Sequence, residues 1–209
     1  MRVALFGGTF DPPHRGHLGI ARAAADAFQL SSVLFAPVGL QPLKDGRTTT
    51  PFADRFAMVE LTCGADPRFQ VSAIDAPRAD GSPNYTVDTL ATLHSQMPEA
   101  VIFSLVGADS FLSLRQWRES RRLLALAEWI VVSRPGSPLG NLASLGLMEE
   151  ERKRIHLIES VHDEVSATEL RHRLADGDPC RNLIAPAVAG YIHDHGLYRR
   201  PAPNDYTKP

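Results

Sequence analysis

Short apolar runs that end at glycine or proline alternate along this chain with segments of helical spacing. Apolar runs of this length are typical of parallel strands covered on both faces, and such strands are joined by crossover helices. Strands are predicted at 2–6, 33–36, 69–73, 101–106, 129–132 and 155–158, and helices at 17–28, 51–61, 86–97, 117–126, 166–175 and 186–196. The alternation therefore predicts an α/β fold with a doubly wound, mostly parallel, Rossmann-like sheet and C-terminal helices.

Length, charge and cysteine content limit the class of protein further. The chain has 209 residues and no repeat or linker, which predicts one domain over 1–200, with a frayed, proline-rich tail at 201–209. A formal net charge of −2 argues against a nucleic-acid surface. Two distant cysteines give no disulfide framework, and no apolar run reaches about 18 residues. We therefore expect a cytoplasmic protein without membrane contact. The sequence does not determine its oligomeric state.

Residues 7–17 lie between the first predicted strand and the first predicted helix, where a doubly wound sheet binds phosphate. Gly7 and Gly8 allow backbone amides to approach an anion, and Thr9 adds a hydroxyl donor. The helix N-terminus adds partial positive charge. His14 and His17, three residues apart, can direct both rings at one bound group. The segment therefore predicts a phosphate site.

Other readings of residues 7–17 are weaker. The segment contains neither the GxxxxGK[ST] of a P-loop, nor GxGxxG, nor the HExxH of a metalloprotease. The remaining alternative is a glycine turn followed by a helix that His17 merely caps. Two histidines flanked by glycines, a threonine and a proline favour the phosphate site over that alternative.

A second constellation begins the penultimate helix, at residues 164–171. Ser166 is a suitable N-cap, and Glu169, three residues later, completes a predicted capping box. Capping does not explain Thr168 or Arg171. A guanidinium in the first turns of a helix can bind two phosphate oxygens at once, which predicts a second anion-binding segment.

Both constellations resemble signatures of the nucleotidyltransferase superfamily related to class I aminoacyl-tRNA synthetases. Residues 7–17 match its GxFDPxHxGH pattern, and residues 165–171 match its (I/V)SxTxxR pattern. The resemblance implies that His14 and His17 are catalytic and contact the phosphates of ATP, the second histidine stabilising the transition state. The implied ATP-binding residues are Gly7, Gly8, Thr9, Phe10, His14, His17, Gly107, Asp109, Ser166, Thr168 and Arg171.

Further segments, together spanning 2–199, resemble the bacterial nicotinate-nucleotide adenylyltransferases. Residues 84–90 look like that family's (S/N)YTxxTL segment, and residues 107–110 look like its G(A/Q)DS element, near the ATP ribose and metal. Trp117 matches the aromatic residue that stacks on the pyridine ring, and Arg118 is a further candidate donor to the nicotinate carboxylate. The implied mononucleotide-binding residues are Lys44, Tyr85, Thr86, Trp117 and Arg134.

The sequence departs from this family in one loop. The family usually carries Pro-His-Lys after the second strand, where residues 41–44 read Gln-Pro-Leu-Lys. Leu43 therefore replaces a histidine that contacts the mononucleotide phosphate, while Lys44 keeps a positive charge. The departure concerns affinity for the mononucleotide and leaves the superfamily assignment unchanged.

The resemblance implies an adenylyltransferase that joins ATP to nicotinate mononucleotide, with Mg²⁺ held mainly through the ATP phosphates, near Asp109, and no protein metal site. Two other functions stay open: another adenylyl- or cytidylyltransferase of the superfamily, such as phosphopantetheine adenylyltransferase, and a non-catalytic nucleotide-binding protein.

Several of these residues also have purely structural explanations. Trp117 and Tyr85 can be packing residues, and Asp109 can cap the helix that follows it. Asp54 and Arg55 are predicted to lie on a solvated helix face.

Overall fold

A computed structural model describes residues 1–41, 50–133, 145–158 and 165–200. Over these residues, six parallel strands form one sheet in the order β3-β2-β1-β4-β5-β6. The strands are β1 (Arg2–Gly8), β2 (Ser32–Pro37), β3 (Phe69–Val71), β4 (Val101–Gly107), β5 (Glu128–Val132) and β6 (Ile155–Ile158). The helices are α1 (Arg15–Ala27), α2 (Phe52–Cys63), α3 (Thr86–Gln96), α4 (Ala108–Phe111), α5 (Ser120–Leu126), α6 (Glu149–Lys153), α7 (Ala167–Ala175) and α8 (Pro186–Asp194), with a 3₁₀ helix at Leu114–Gln116.

Helices cover both faces of the sheet, as apolar strands without polar alternation require. On one face, Val3 of β1 belongs to a core with Leu90 of α3 and Leu123 of α5. On the other face, the next residue, Ala4, belongs to a core with Ala21 of α1. Successive side chains of a strand point to opposite faces, so the central strand contributes to both cores. The predicted doubly wound α/β fold is confirmed.

The C-terminal helices form a third core, which attaches them to the sheet through α2. Met58 of α2 packs in this core with Leu170 of α7 and Val188 of α8. The predicted C-terminal helices are therefore confirmed, and α7 is held beside the first half of the chain. The single-domain boundary stays a prediction, and the tail predicted at 201–209 lies outside the described residues.

The order of the strands places the candidate site. β1 lies between β2 and β4, so the chain crosses from one side of the central strand to the other. In open parallel sheets, ligands bind at such a switch point, in the crevice beyond the carboxyl ends of the strands. The β1–β2 register pairs Gly8 with Pro37, and the β1–β4 register pairs Leu5 with Ser104. The segments that follow these three strands therefore leave the sheet side by side.

The predicted helix at 117–126 is shorter in the structure. Its α-helical part begins at Ser120, because Glu119 has φ +51°, a left-handed conformation that interrupts the preceding turn. Trp117 therefore lies between the 3₁₀ helix and α5. Two short helices, α4 and α6, are missing from the prediction because four or five residues give no measurable period.

Among the described residues, none of the helices combines the length and apolarity needed to cross a membrane.

Candidate active site

The two histidines of the 7–17 segment lie against each other at the start of α1. His14 occupies the N-cap position, and the centres of the His14 and His17 rings are 3.7 Å apart. The backbone N–H of His14 donates to Nδ1 of His17 over 3.1 Å. The capping role considered for His17 is therefore real, and it also orients the His17 ring.

This hydrogen bond assigns the proton on the His17 ring. Because Nδ1 accepts a hydrogen bond, the neutral imidazole carries its proton on Nε2 and donates from that atom. The Phe10 ring, whose centre is 4.9 Å from that of His17, packs against the imidazole and limits its rotation. The backbone cap and the aromatic neighbour thus fix an N–H donor at the carboxyl end of β1.

The glycines of this segment have different structural reasons. A Cβ on Gly7 would have no heavy atom within 4 Å, whereas a Cβ on Gly8 would come within 3.0 Å of the Phe10 ring. Phe10 itself has φ +50° and is 2% exposed as a residue, so its side chain is part of the core. Its place among the ATP-binding residues stays a prediction. Thr9 donates its hydroxyl to the side-chain oxygen of Gln41 over 3.2 Å.

The structure brings the two predicted constellations together. Nη1 of Arg171, in α7, donates to the backbone oxygen of Asp11 over 2.7 Å, and Nη2 donates to the Thr168 hydroxyl over 3.2 Å. Residues 160 positions apart in the sequence thus meet at Asp11, three residues before His14. The predicted capping box is wrong: Ser166 occupies the N-cap, but its hydroxyl makes no capping hydrogen bond to the α7 backbone, and Glu169 is exposed.

The prediction that Arg55 lies on a solvated helix face is wrong. The residue is buried, with 2% of its surface exposed. Its guanidinium donates to three backbone oxygens: those of Thr9 at 2.8 Å, Val38 at 2.9 Å and Thr50 at 2.9 Å. Burial lowers the pKa of Arg55, and the negative charge of Asp11 opposes that shift. No residue pattern marks this role in the sequence, because the partners of Arg55 are backbone carbonyls.

Asp11 joins the C-terminal segment to the same site. Its carboxylate accepts the backbone N–H of Thr50 over 3.2 Å and the hydroxyl of Tyr198. Burial, with the neighbouring Asp11 charge, raises the pKa of the Tyr198 phenol well above its usual range. The phenol therefore stays a neutral donor to Asp11. Tyr198 is a second residue that the sequence did not single out as part of the site.

The residues predicted for the mononucleotide lie at the start of α3 and between the 3₁₀ helix and α5. Tyr85 is the N-cap of α3, Thr86 is its first residue, and the Arg118 guanidinium lies 4.7 Å above the centre of the Tyr85 ring. Trp117 is half-buried: its indole N–H donates to the Ser113 hydroxyl over 3.0 Å. Arg118 is thus held beside Tyr85, and Tyr85 and Trp117 both pack against the core on the same face of the sheet. The predicted Lys44 and Arg134, and Leu43, lie outside the described residues.

Asn84 fixes the position of Tyr85 relative to the end of β2. Its side-chain oxygen accepts the backbone N–H of Leu40 and its amide nitrogen donates to Ala76, each over 3.0 Å. Gly39 makes this approach possible, because a Cβ there would lie 2.5 Å from the backbone nitrogen of Pro77. The chain after β2 is therefore packed directly against the start of α3.

The buried carboxyl of Asp75 predicts a pH dependence of the protein's stability. Burial raises the pKa of Asp75, opposed by a hydrogen bond from the Thr89 hydroxyl. A carboxyl whose pKa is higher in the folded chain than in the unfolded chain stabilises the fold only at low pH. The wild-type protein should therefore lose stability relative to Asp75→Asn as pH rises above about 4, the ordinary carboxyl pKa. Each unit of pKa difference between folded and unfolded chains contributes about 1.4 kcal/mol.

The measurement is urea unfolding of wild type and Asp75→Asn at several pH values between 4 and 8, a range that brackets the ordinary carboxyl pKa of roughly 4. The difference in unfolding free energy should move in favour of asparagine with rising pH. A difference that stays constant across this range would contradict the raised pKa.

Gly107 and Asp109 lie at the carboxyl end of β4, beside the carboxyl end of β1. Gly107 ends the strand and is the N-cap of α4, and a Cβ on it would meet no heavy atom within 4 Å. Asp109 is exposed in the first turn of α4. Within the described ranges, no group of three or more histidine, cysteine, aspartate or glutamate side chains is placed to hold a metal ion.

Comparison with known proteins gives a consistent result over most of the chain. The sequence model of a family described as cytidylyltransferase-like matches residues 5–173. A protein of Roseiflexus sp. (strain RS-1) named "Probable nicotinate-nucleotide adenylyltransferase" is 43% identical over 94% of this chain and 98% of its own length. A protein of the same name from Herpetosiphon aurantiacus is 41% identical with the same coverage.

Solved structures agree at the level of the fold. The nicotinic acid mononucleotide adenylyltransferase of Plasmodium falciparum, complexed with NaAD, superposes with a TM-score of 0.73 at 17% identity. The superposition covers 94% of this chain and 97% of that one. The same enzyme complexed with APC gives a TM-score of 0.72, also at 17% identity.

Proposed function

The chain belongs to the cytidylyltransferase-like family and, within it, to the nicotinate-nucleotide adenylyltransferases, and from this premise we propose how its residues transfer AMP from ATP to nicotinate mononucleotide. The products are deamido-NAD and pyrophosphate. The single observation that carries the proposal is the hydrogen bond from Arg171 to Asp11, in the segment after β1 that also carries the paired His14 and His17. Three nitrogen-bearing side chains at a switch point fit a triphosphate.

The reaction is an in-line displacement without a covalent enzyme intermediate. A phosphate oxygen of nicotinate mononucleotide forms a bond to the α-phosphorus of ATP, and the bond from that phosphorus to the β-phosphate bridging oxygen breaks. Two polyanions must approach, so positioning and charge stabilisation carry the catalysis. His17 donates from Nε2 to the α-phosphate oxygens, on which negative charge increases in the transition state, and His14 donates beside it.

The leaving pyrophosphate is assigned to α7. A guanidinium carries five N–H donors, and the contacts to Asp11 and Thr168 use two of those of Arg171. The remaining donors can bind phosphate oxygens while the Asp11 contact persists. Ser166 and the first amides of α7 add neutral donors at a helix N-terminus, where an anion is stabilised.

Mg²⁺ is proposed to enter with ATP. This ion demands octahedral oxygen coordination, keeps several waters, and binds proteins through one or two carboxylates and the substrate phosphates. The exposed carboxylate of Asp109, beside the carboxyl end of β1, fits that limited contribution. When bound, the ion neutralises part of the triphosphate charge.

The cytoplasm is proposed as the compartment, supported by the free thiols of Cys63 and Cys180.

The acceptor is assigned to the surface formed by Tyr85, Thr86 and Trp117. Backbone amides at the start of α3 can donate to a carboxylate, and the indole of Trp117 offers an aromatic face beside them. Arg118, above the Tyr85 ring, adds a positive charge that favours an acid over its amide. Lys44 and Arg134 are proposed from the resemblance alone.

The experiment is pyrophosphate release from Mg-ATP, with nicotinate mononucleotide and its amide analogue offered separately. We expect fast release with the acid and at least tenfold slower release with the amide, since one lost charged contact is worth about 1.4 kcal/mol or more. CTP in place of ATP tests the cytidylyltransferase alternative, and a reaction without acceptor measures pyrophosphate released by hydrolysis of ATP alone. Release with neither mononucleotide, or with CTP alone, would overturn the assignment.

A further inference from the structure

One buried cation, Arg55, bonds to three separate backbone segments at the edge of the site. The carbonyls it binds belong to the segment after β1 (Thr9), the end of β2 (Val38) and the turn before α2 (Thr50). The ladder between β1 and β2 ends here, at the hydrogen bond that the N–H of Val38 donates to the Gly8 oxygen over 2.9 Å. The guanidinium adds a second connection beyond that last ladder bond and extends it to Thr50.

Each of the three contacts leads to a different group of site residues. Thr9 is the middle of the segment that carries the glycines and histidines. Val38 precedes Leu40, which is bonded through both of its backbone polar groups to Asn84, the residue before Tyr85. The Arg55 side chain thus bonds to both the ATP side and the acceptor side.

The third contact connects Arg55 to the charge network around Asp11. The oxygen of Thr50 accepts from Nε of Arg55, while the N–H of Thr50 donates to the Asp11 carboxylate. Asp11 also accepts the Tyr198 hydroxyl, and its own backbone oxygen accepts from Arg171. A displacement of Arg55 would therefore move Thr9, Asp11 and Arg171 together.

Only arginine has the geometry that this position requires. Its planar fork donates from Nε, Nη1 and Nη2 in fixed directions, whereas lysine offers one nitrogen that cannot reach three carbonyls on different segments. The Phe52 ring, whose centre lies 5.6 Å from the guanidinium carbon, covers one side of the group, and the Asp11 charge compensates its burial.

We propose that Arg55 is a positioning residue that sets the distance between the ATP-binding segment and the acceptor-binding segment, an inference that rests on the proposed adenylyl transfer. The residue touches neither substrate. Its action is to hold the two segments at the separation that in-line attack requires, because misplacement of reacting groups by about 1 Å can cost about 10²-fold in rate.

The test compares wild type with Arg55→Lys and Arg55→Met, which keep the charge and the apolar stem respectively. Arg22→Lys is the matched control, since Arg22 also donates to a loop carbonyl, that of Ala65 over 3.1 Å, but on the far side of α2 from the site residues. Initial rates are measured with each substrate varied in turn, at a temperature where circular dichroism shows every variant to be folded.

We expect both Arg55 variants to raise KM for ATP and for the mononucleotide together, and to lower kcat, with kcat/KM reduced about 10²-fold. Arg22→Lys should keep wild-type constants. A purely structural role would lower the stability of the variants but leave kcat and both KM values of the folded protein unchanged, and that result would overturn the proposal. Wild-type kinetics in Arg55→Lys would overturn it as well.

Amide hydrogen exchange gives a readout that is independent of the reaction. In Arg55→Lys, exchange should become faster together at residues 9–11, at residues 38–40 and at Thr50 and Phe52, while β5 keeps its protection. Uniformly faster exchange, or unchanged exchange at these three segments, would contradict the positioning role. If wild type itself releases no pyrophosphate with either mononucleotide, the proposed function fails, and the exchange result still decides whether Arg55 couples the segments.

Discussion

His17→Ala is expected to lower kcat by about 10²–10³-fold, the usual cost of removing one preorganised donor to transition-state charge. The ring of His17 is fixed on two sides, by the backbone N–H of His14 at Nδ1 and by the Phe10 ring. It therefore donates from Nε2 without reorganisation when charge develops on the α-phosphate. The measurement is steady-state pyrophosphate release at saturating ATP and mononucleotide.

A second variant separates catalysis from helix capping. His17→Ala also removes the acceptor for the His14 amide, which costs about 0.5–2 kcal/mol of stability. His17→Asn keeps an acceptor oxygen near that amide but lacks the Nε2 donor, so it should remain stable and be as slow as alanine. His193→Ala, on the exposed end of α8, is the control and should keep full activity. A His17→Asn enzyme with near-normal kcat would refute the assigned role.

The resemblance to the superfamily implied that residues 7–17 and residues 165–171 bind the same ATP, and therefore that the two segments meet. Residues 7–17 follow the central strand β1, where a doubly wound sheet binds phosphate, whereas residues 165–171 follow the edge strand β6 and are brought to the site by the packing of α7 and α8 against α2. The bond between Arg171 and the Asp11 carbonyl confirms that meeting. The fold class could be predicted from the sequence because parallel strands that are buried on both faces have to be apolar. In this chain, apolar runs of that kind end at glycine or proline.

Arg55 and Tyr198 could not be found in the same way. Arg55 binds the carbonyls of Thr9, Val38 and Thr50, and a backbone carbonyl is present at every position, so no residue pattern marks a partner. Tyr198 bonds to Asp11 across 187 positions, and only the packing of α8 against α2 brings it there. The left-handed Glu119 is a similar case, because glutamate is not a residue that marks a left-handed position in a sequence.

Arg171→Ala is expected to have the second-largest effect, a fall of about 10²-fold or more in kcat/KM for ATP. Two losses combine in this variant. The leaving pyrophosphate loses a charged donor, and the Asp11 carbonyl loses a hydrogen bond of a kind worth about 1.5–3 kcal/mol. The Asp11 segment carries the histidines, so its displacement also affects the transferred phosphate.

Arg173→Ala is the matched control on the same helix. Arg173, two residues later, is bonded to Asp178 at the surface, and this contact raises its pKa. Removing it should leave kcat/KM for ATP within about twofold, since exposed ion pairs contribute at most about 1 kcal/mol to stability. Arg171→Lys retains the charge without the fork and should fall between alanine and wild type. Equal losses in Arg171→Ala and Arg173→Ala would show a general charge effect of α7, and the specific contact between Arg171 and pyrophosphate would then be wrong.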